Sequence, residues 1–293
     1  MTNTFEHLNQ QLAQHQYIAD ADLITTLSLM ESLQRPLLIE GEAGVGKTEI
    51  AKVLSKVYGC PLIRLQCYEG LDASTSVYEW NYSHQLLSIK MMEDAGSSYQ
   101  QKESNIFNDA FLLERPLLKA IRQPTAPVLL IDEIDRTDEA FEAFLLELLS
   151  DFQITIPELG TIKATSIPKV ILTSNGTREL SDALRRRCLY HYMEYPSYEK
   201  ELRIIRTRLP EIQDKLAVQI ATFLQQLRDV ELRKKPGVAE TLDWATALMG
   251  QGVTELTASD FVIQSSKSCL LKTQDDVTRL NNSEMTQLIN NIY

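Results

Sequence analysis

The chain has 293 residues, with 29 Lys or Arg against 40 Asp or Glu, a formal net charge of −11. That balance argues against a protein that coats nucleic acid nonspecifically, a task that needs clustered cations to displace counterions. At 44% hydrophobic and 24% charged residues, long disorder is excluded and a sizeable core is allowed. At roughly 100–200 residues per domain, the length fits one large domain or one domain with a smaller companion. No stretch nears the ~18 apolar residues of a membrane span. The opening residues, MTNTFEHLNQQLAQHQ, have neither the basic start nor the apolar run of a signal peptide, so a cytoplasmic protein is expected. Four cysteines, Cys60, Cys67, Cys188 and Cys269, form no CxxC pair and read as thiols in a reducing compartment.

Residues 1–35 read mostly as helix, with Asp20-Ala-Asp22 as a cap and Leu23, Ile24, Leu27 and Met30 at helical spacing. Pro36-Leu-Leu-Ile39 is too short for a helix and reads as a buried strand. Gly41 to Thr48 is a glycine-rich turn, Glu49 to Tyr58 a helix, and Leu62 to Gln66 a second strand. Phe111 to Arg122 reads as an amphipathic helix, and polar Gly96 to Ser104 as a loop. Val128 to Ile131 is a third strand and Asp138 to Ser150 a helix. Phe152 to Ile156 and Thr161 to Thr165 flank Pro157-Glu-Leu-Gly160, a hairpin signal. Val170 to Thr173 is a fourth strand and Leu189 to Glu194 a candidate fifth. After Pro196 only helical patterns remain. Strands alternating with helices predict a parallel α/β sheet covered on both faces, and the change near Pro196 predicts a second, all-helical domain.

Gly41-Glu42-Ala43-Gly44-Val45-Gly46-Lys47-Thr48 fits GxxxxGK[ST], with a strand before it and a helix, opening at Glu49, after it. Its glycines let backbone N–H groups surround a phosphate chain. Lys47 reaches β- and γ-phosphates, and the Thr48 hydroxyl suits Mg²⁺. The positive end of the following helix faces the anion. A chance glycine turn is the alternative, but it does not require the flanking strand and helix. Asp132 and Glu133 close the apolar run Val128-Leu-Leu-Ile131, with Asp132 85 residues after Lys47. Ligands sit at that end of strands in doubly wound sheets. Asp132 suits Mg²⁺ held through water, and Glu133 suits polarising the attacking water. Asn175, after Ile171-Leu-Thr-Ser174, suits the γ-phosphate or that water; alone before Gly176 it reads as a turn residue. Asp135 and Arg136 read equally well as surface charges. Arg185-Arg186-Arg187 reads as a solvated face or as charge supplied to a neighbouring phosphate site.

In this order the elements resemble the AAA+ P-loop ATPases: strand and Walker A, strand and Walker B, Thr-Ser-Asn as sensor 1, arginines before Cys188, and a helical lid. More narrowly the chain is similar to the MoxR family and its CoxD-like subgroup. That likeness rests on Gly41 to Glu49, Leu65-Gln-Cys-Tyr-Glu-Gly-Leu-Asp72, Tyr78-Glu-Trp-Asn-Tyr82 with Gln85-Leu-Leu87, Ile131-Asp-Glu-Ile-Asp-Arg136, Ile154 to Gly160, and Lys235-Pro-Gly-Val-Ala-Glu-Thr-Leu-Asp-Trp244.

The resemblance implies a five-stranded parallel core over 1–196, with a helix-2 insert at about 70–100 and a pre-sensor-1 hairpin at about 152–165. A helical lid spans 197–293. It implies a homo-oligomeric ring, usually a hexamer, with ATP and Mg²⁺ between subunits. Gly41 to Glu49 and Asp132 would bind the nucleotide, with Thr48 and Asp132 on Mg²⁺. Glu133 and Asn175 would be catalytic, with Arg187, or else Arg186, as the arginine finger. Tyr17 and Ile18 would line the adenine pocket. It further implies a chaperone acting with a von Willebrand A-domain (VWA) protein, on a metalloenzyme client of the molybdenum hydroxylase or carbon monoxide dehydrogenase type. Gly237-Val-Ala-Glu-Thr241 departs from the pattern, because in many members of the family the lid carries a sensor-2 arginine in a Gly-x-x-x-Arg-like segment.

Other readings remain beside this one. Tyr78, Trp80 and Tyr82 alternate as on one strand face, as a client-gripping cluster or as core. His84 and His191 read as ordinary polar residues, no zinc spacing is present, and Trp244 reads as lid core. A nucleic-acid motor or loader is the rival function, opposed by the charge of −11 and by the lack of a DNA-binding module. A nucleotide-dependent scaffold with little turnover is a third, opposed by the set Asp132, Glu133 and Asn175. No Asn-Lys-x-Asp signature of a guanine-specific switch is present.

Overall fold

Strands of five or six residues, apolar at the centre of the sheet, make the central sheet in the computed structural model, which describes residues 2–94 and 107–292. The strands are β1 (Leu37–Gly41), β2 (Leu62–Gln66), β5 (Val128–Asp132), β8 (Lys169–Ser174) and β9 (Leu189–Met193), in the order β2-β5-β8-β1-β9. β2 pairs with β5, β5 with β8 and β8 with β1, all parallel. In register, Gln66 lies opposite Asp132, and Glu40 opposite Ser174. Every residue of β5 is buried, as expected for a central strand covered on both faces.

The first of two compact units comprises Met1–Phe5, Ala21–Glu40 and Ala51–Tyr192. Helices α2 (Ala21–Leu33), α6 (Pro116–Ile121), α7 (Glu139–Asp151) and α8 (Asp182–Arg187) accompany its sheet. Asp138 starts α7 by accepting the Phe141 N–H at 2.8 Å, a carboxylate N-cap that also suits the helix dipole. The hairpin expected at 152–165 is the antiparallel pair β6 (Gln153–Ile156) and β7 (Gly160–Lys163).

Phe111 to Arg122 is not one helix. Leu112–Glu114 forms β4, antiparallel to β3 (Tyr78–Trp80), and only α6 is helical. Pro116 explains the break, since it suits the first turn of a helix and forces the residue before it to be extended. Tyr82 does not continue the Tyr78–Trp80 strand face. It opens helix α5 (Tyr82–Asp94) and is 63% exposed, whereas Trp80 is 6% exposed. Trp80 packs edge-on against Tyr78 and Phe107, with ring centroids 5.9 and 5.3 Å away, so it is core. Gly96 to Ser104 lies outside the described residues.

The second unit comprises Glu6–Asp20, Gly41–Ile50 and Met193–Tyr293. Most of helix α1 (Thr2–Gln14) lies in its first segment, and α3 (Lys47–Val57) begins two residues earlier than the sequence pattern indicates. After Met193 only helices occur among the described residues: α9 (Tyr198–Arg208), α10 (Asp214–Asp229), α11 (Val238–Gly250), α12 (Asp260–Leu270), α13 (Gln274–Arg279) and α14 (Asn282–Asn290). Trp244 and Phe223, both fully buried, meet at 5.1 Å in their core. The Trp244 indole N–H donates to Ser265 Oγ at 3.1 Å, which satisfies its one polar atom.

Candidate active site

Within the first unit, the site begins where β2, β5 and β8 end. Asp132 is 3% exposed. Its Oδ1 accepts from the Thr173 hydroxyl at 2.5 Å, and its Oδ2 accepts from Arg64 Nε at 3.1 Å and Nη2 at 2.5 Å. Such partners offset the cost of burying a carboxylate. Thr173 Oγ1 also accepts from the Glu133 backbone N–H at 2.9 Å. One hydroxyl on β8 thus fixes the last side chain of β5 and the turn that follows it.

Glu133 sits in that turn with φ 58° and ψ 49°, a left-handed conformation that non-glycine residues hold only when surroundings enforce it. Its Oε2 accepts from Gln66 Nε2 at 3.0 Å and pairs with Arg136 Nε at 3.1 Å. Arg64 Nη2 donates to Gln66 Oε1 at 2.5 Å, so Arg64, Gln66, Asp132, Glu133 and Arg136 form one connected network. Negative charge concentrates here: burial, followed by Asp132, Asp135 and Glu133, pushes the Cys67 thiol up to about 12. Asn175 directly follows β8 and is half-buried. Asp135 is 3% exposed and accepts from the Thr177 N–H and hydroxyl at 3.0 and 2.6 Å.

The three consecutive arginines are in different circumstances. Arg185 pairs with Glu40 at 3.4 Å. Arg187 donates from Nε to Ser150 Oγ and from Nη1 to Ala183 O at 3.1 Å. Arg186 is exposed and has no side-chain partner among the described residues.

The second unit carries the glycine-rich loop. Lys47 is 7% exposed and its ammonium donates to the carbonyls of Gly41 and Glu42, at 2.7 Å each. Gly41 must be glycine for space, since a Cβ there would lie 2.2 Å from Met193 O. Gly44 has φ +81°, and its carbonyl accepts the Val238 N–H at 2.9 Å. A Cβ on Gly237 would come within 2.5 Å of Gly44 C and O. Residues 237 and 238 therefore meet the loop backbone to backbone.

Thr241 is structural: its hydroxyl donates to Glu201 Oε1 at 2.9 Å and to Gly237 O at 3.0 Å. Glu201, fully buried, takes a two-pronged bond from Arg228 at 2.6 and 2.7 Å, while Arg228 Nε donates to Pro236 O. That fork pattern is the geometry guanidinium offers a carboxylate. Glu49 pairs with Arg208 at 3.4 Å. Burial, then Asp20 and Glu49, push the Tyr17 hydroxyl above its ordinary value.

The Asp132 carboxylate in the first unit and the Thr48 hydroxyl in the second are each oxygen donors of the kind Mg²⁺ takes, one or two from protein and the rest from water and phosphate. No cluster of three or more His, Cys, Asp or Glu able to hold a metal by itself occurs among the described residues. A buried ammonium seated on two carbonyls of its own glycine loop fits a phosphate cradle. The sequence assigns no individual role to Arg64, Gln66 or Thr173, although Gln66 and Thr173 lie within motifs quoted above. Two of them act across strands, on residues 68 and 41 positions away, so no local pattern displays them.

Comparison with known proteins places these features. The chain is 26% identical over 221 residues to the uncharacterized protein SAB1265c of Staphylococcus aureus (strain bovine RF122 / ET3-1), covering 73% of this chain and 76% of that one. It is 27% identical over 225 residues to the uncharacterized protein SH1500 of Staphylococcus haemolyticus (strain JCSC1435), covering 74% and 78%. Among solved structures, a mutant of Thermotoga maritima RuvB is similar at 15% identity and a TM-score of 0.49, over 96% of this chain and 72% of that one. No described helix is long and apolar enough to cross a membrane. The AAA domain (dynein-related subfamily) matches residues 36–188, from the proline before β1 to the cysteine after the arginines, and the chain belongs to that AAA+ family.

Proposed function

We propose that the protein hydrolyses ATP. The observation that carries this reading is the parallel order β5-β8-β1, which brings the strand ends bearing Asp132, Ser174 and Glu40 to one edge of the sheet. Glu133 and Asn175 follow two of those ends directly, and the glycine loop follows the third. Lys47 and the loop amides bind the β- and γ-phosphates. Thr48 and Asp132 hold Mg²⁺, which neutralises charge on the phosphates. Glu133 orients and polarises the attacking water, and Asn175 positions it. Arg186 or Arg187 supplies positive charge to the site of a neighbouring subunit in a ring. Lys47→Ala is expected to abolish ATP binding. Glu133→Gln is expected to bind ATP normally and lose turnover, checked by nucleotide binding beside phosphate release. Full turnover by Glu133→Gln removes that residue from the reaction.

The finer reading is a MoxR-type, CoxD-like chaperone that remodels a metalloenzyme client together with a VWA-domain partner. It is supported by the sequences Tyr78 to Tyr82 and Lys235 to Trp244. Helix α5 also exposes Leu86, Leu87 and Met91, each more than half accessible, as a surface that grips protein does. Tagged Glu133→Gln, held with ATP and Mg²⁺ in the source cell, is expected to retain both proteins. Recovery of nucleic acid with replication proteins in their place would replace this reading with that of a motor.

A further inference from the structure

The three-arginine run closes α8, a helix of six residues whose last carbonyls lack helical partners. Arg35 fills that gap. Its Nη2 donates to Arg186 O at 2.5 Å and to Cys188 O at 3.5 Å, and its Nε donates to Arg187 O at 3.2 Å. One guanidinium therefore holds three successive carbonyls, 151 to 153 residues away in the chain. A cation at this end of the helix also complements its dipole. Next to it, Leu189 N–H donates to Pro36 O at 2.8 Å. The residues just before β1 thus grip the backbone on which Arg186 and Arg187 are mounted.

We propose that Arg35 is a positioning residue for ATP hydrolysis in the neighbouring subunit: it fixes the backbone direction from which Arg186 and Arg187 are presented. This rests on the ring reading above. Arg35 touches no reacting atom in this scheme. Its cation is consumed by carbonyls, whereas the Arg186 side chain is exposed, has no partner among the described residues and is the guanidinium best placed to leave the surface. β1 consequently carries a grip on the arginine turn at its beginning and the glycine loop at its end.

An arginine in trans contributes ~10³–10⁵ to turnover, and misplacing a catalytic group by about 1 Å costs ~10²-fold. Arg35→Ala is accordingly expected to lower kcat about 10²-fold with KM for ATP unchanged. Arg35→Lys should recover only part, because an ammonium lacks the planar fork.

The test is subunit mixing. Arg35→Ala is combined with Glu133→Gln, which cannot hydrolyse but carries intact arginines and an intact Arg35. Arg186→Ala and Arg187→Ala are each mixed with Glu133→Gln in parallel. The expected result is that Arg35→Ala subunits regain turnover beside Glu133→Gln subunits, as do those of whichever arginine variant is impaired. If an arginine variant is rescued and Arg35→Ala is not, Arg35 serves its own subunit and the proposal falls while the ring reading stands. If no arginine variant is impaired, or none is rescued, the trans reading falls and takes the proposal with it. Wild-type turnover by Arg35→Ala alone also overturns the proposal. Where Arg35→Ala does not fold, Arg35→Lys and Arg35→Gln enter the same mixtures and are judged by the same outcomes.

Discussion

Thr173 shows how much one hydroxyl can organise. It donates to Asp132 and accepts from the Glu133 backbone, both across the β5–β8 seam. Thr173→Val keeps the shape and removes both bonds, so a buried carboxylate and a buried N–H each lose a hydrogen bond. Such groups cost about 1–3 kcal/mol each. Thr173→Val is expected to lower stability by that order, measured by urea unfolding, and to lower kcat more than ATP affinity because the Glu133 turn loosens. Unchanged stability and unchanged kcat would mean that Asp132 and Glu133 are held without help from the Thr173 hydroxyl. Gln66 and Arg136 engage the same Glu133 oxygen, so the carboxylate proposed to polarise water rests in a hydrogen-bonded, partly neutralised position.

At the scale of elements, the inner strands β1, β5 and β8 were legible because each holds a short apolar run bounded by turn residues. The glycine loop was legible because its chemistry is local. Phe111 to Arg122 was misread because its apolar positions fit a helix, while the pairing of Leu112–Glu114 with Tyr78–Trp80 lies more than 30 residues away in the chain. Pro116 was the available signal. Tyr82 was misread because alternation was extended past Asn81, whose side chain instead accepts the His84 N–H and caps α5. Arg35 gave no signal at all: a lone arginine before a proline reads as surface charge. Gly237 is an element-scale constraint of another kind, since the start of α11 approaches the glycine loop so closely that a Cβ on Gly237 would strike the Gly44 backbone. Gly237→Ala is expected to destabilise by about 1–3 kcal/mol, as overpacking does, and to weaken ATP binding. Denaturant unfolding and nucleotide titration of this variant check both expectations, and wild-type values in both would show that the approach is not needed.

For the whole molecule, two separate cores predict a response to alkali. Burial pushes the thiols of Cys67 and Cys188 up to about 12, partly opposed at Cys188 by Arg35. An unfolded chain releases these protons near ~8.5. Between roughly 8.5 and 12 the native state therefore holds more protons, and stability falls as pH rises through that window. Both thiols belong to the first unit, so its melting should shift downward with alkali beyond what Cys67→Ala and Cys188→Ala variants show. Native alkylation at pH 8 should reach the partly exposed Cys60 and Cys269 before Cys67 and Cys188; equal rates for all four would contradict their burial.

The six segments of the two units alternate along the chain, so the backbone passes from one unit to the other five times. A gene cut after Pro196 would yield a fragment that keeps the whole Trp244 core but lacks Glu6–Asp20 and Gly41–Ile50. Lys200 would lose Asp20, Arg208 would lose Glu49 and Val238 would lose its acceptor on Gly44. The unit is thus modular in space and not in the gene: recombination at its apparent border would transplant helices while leaving the phosphate loop behind.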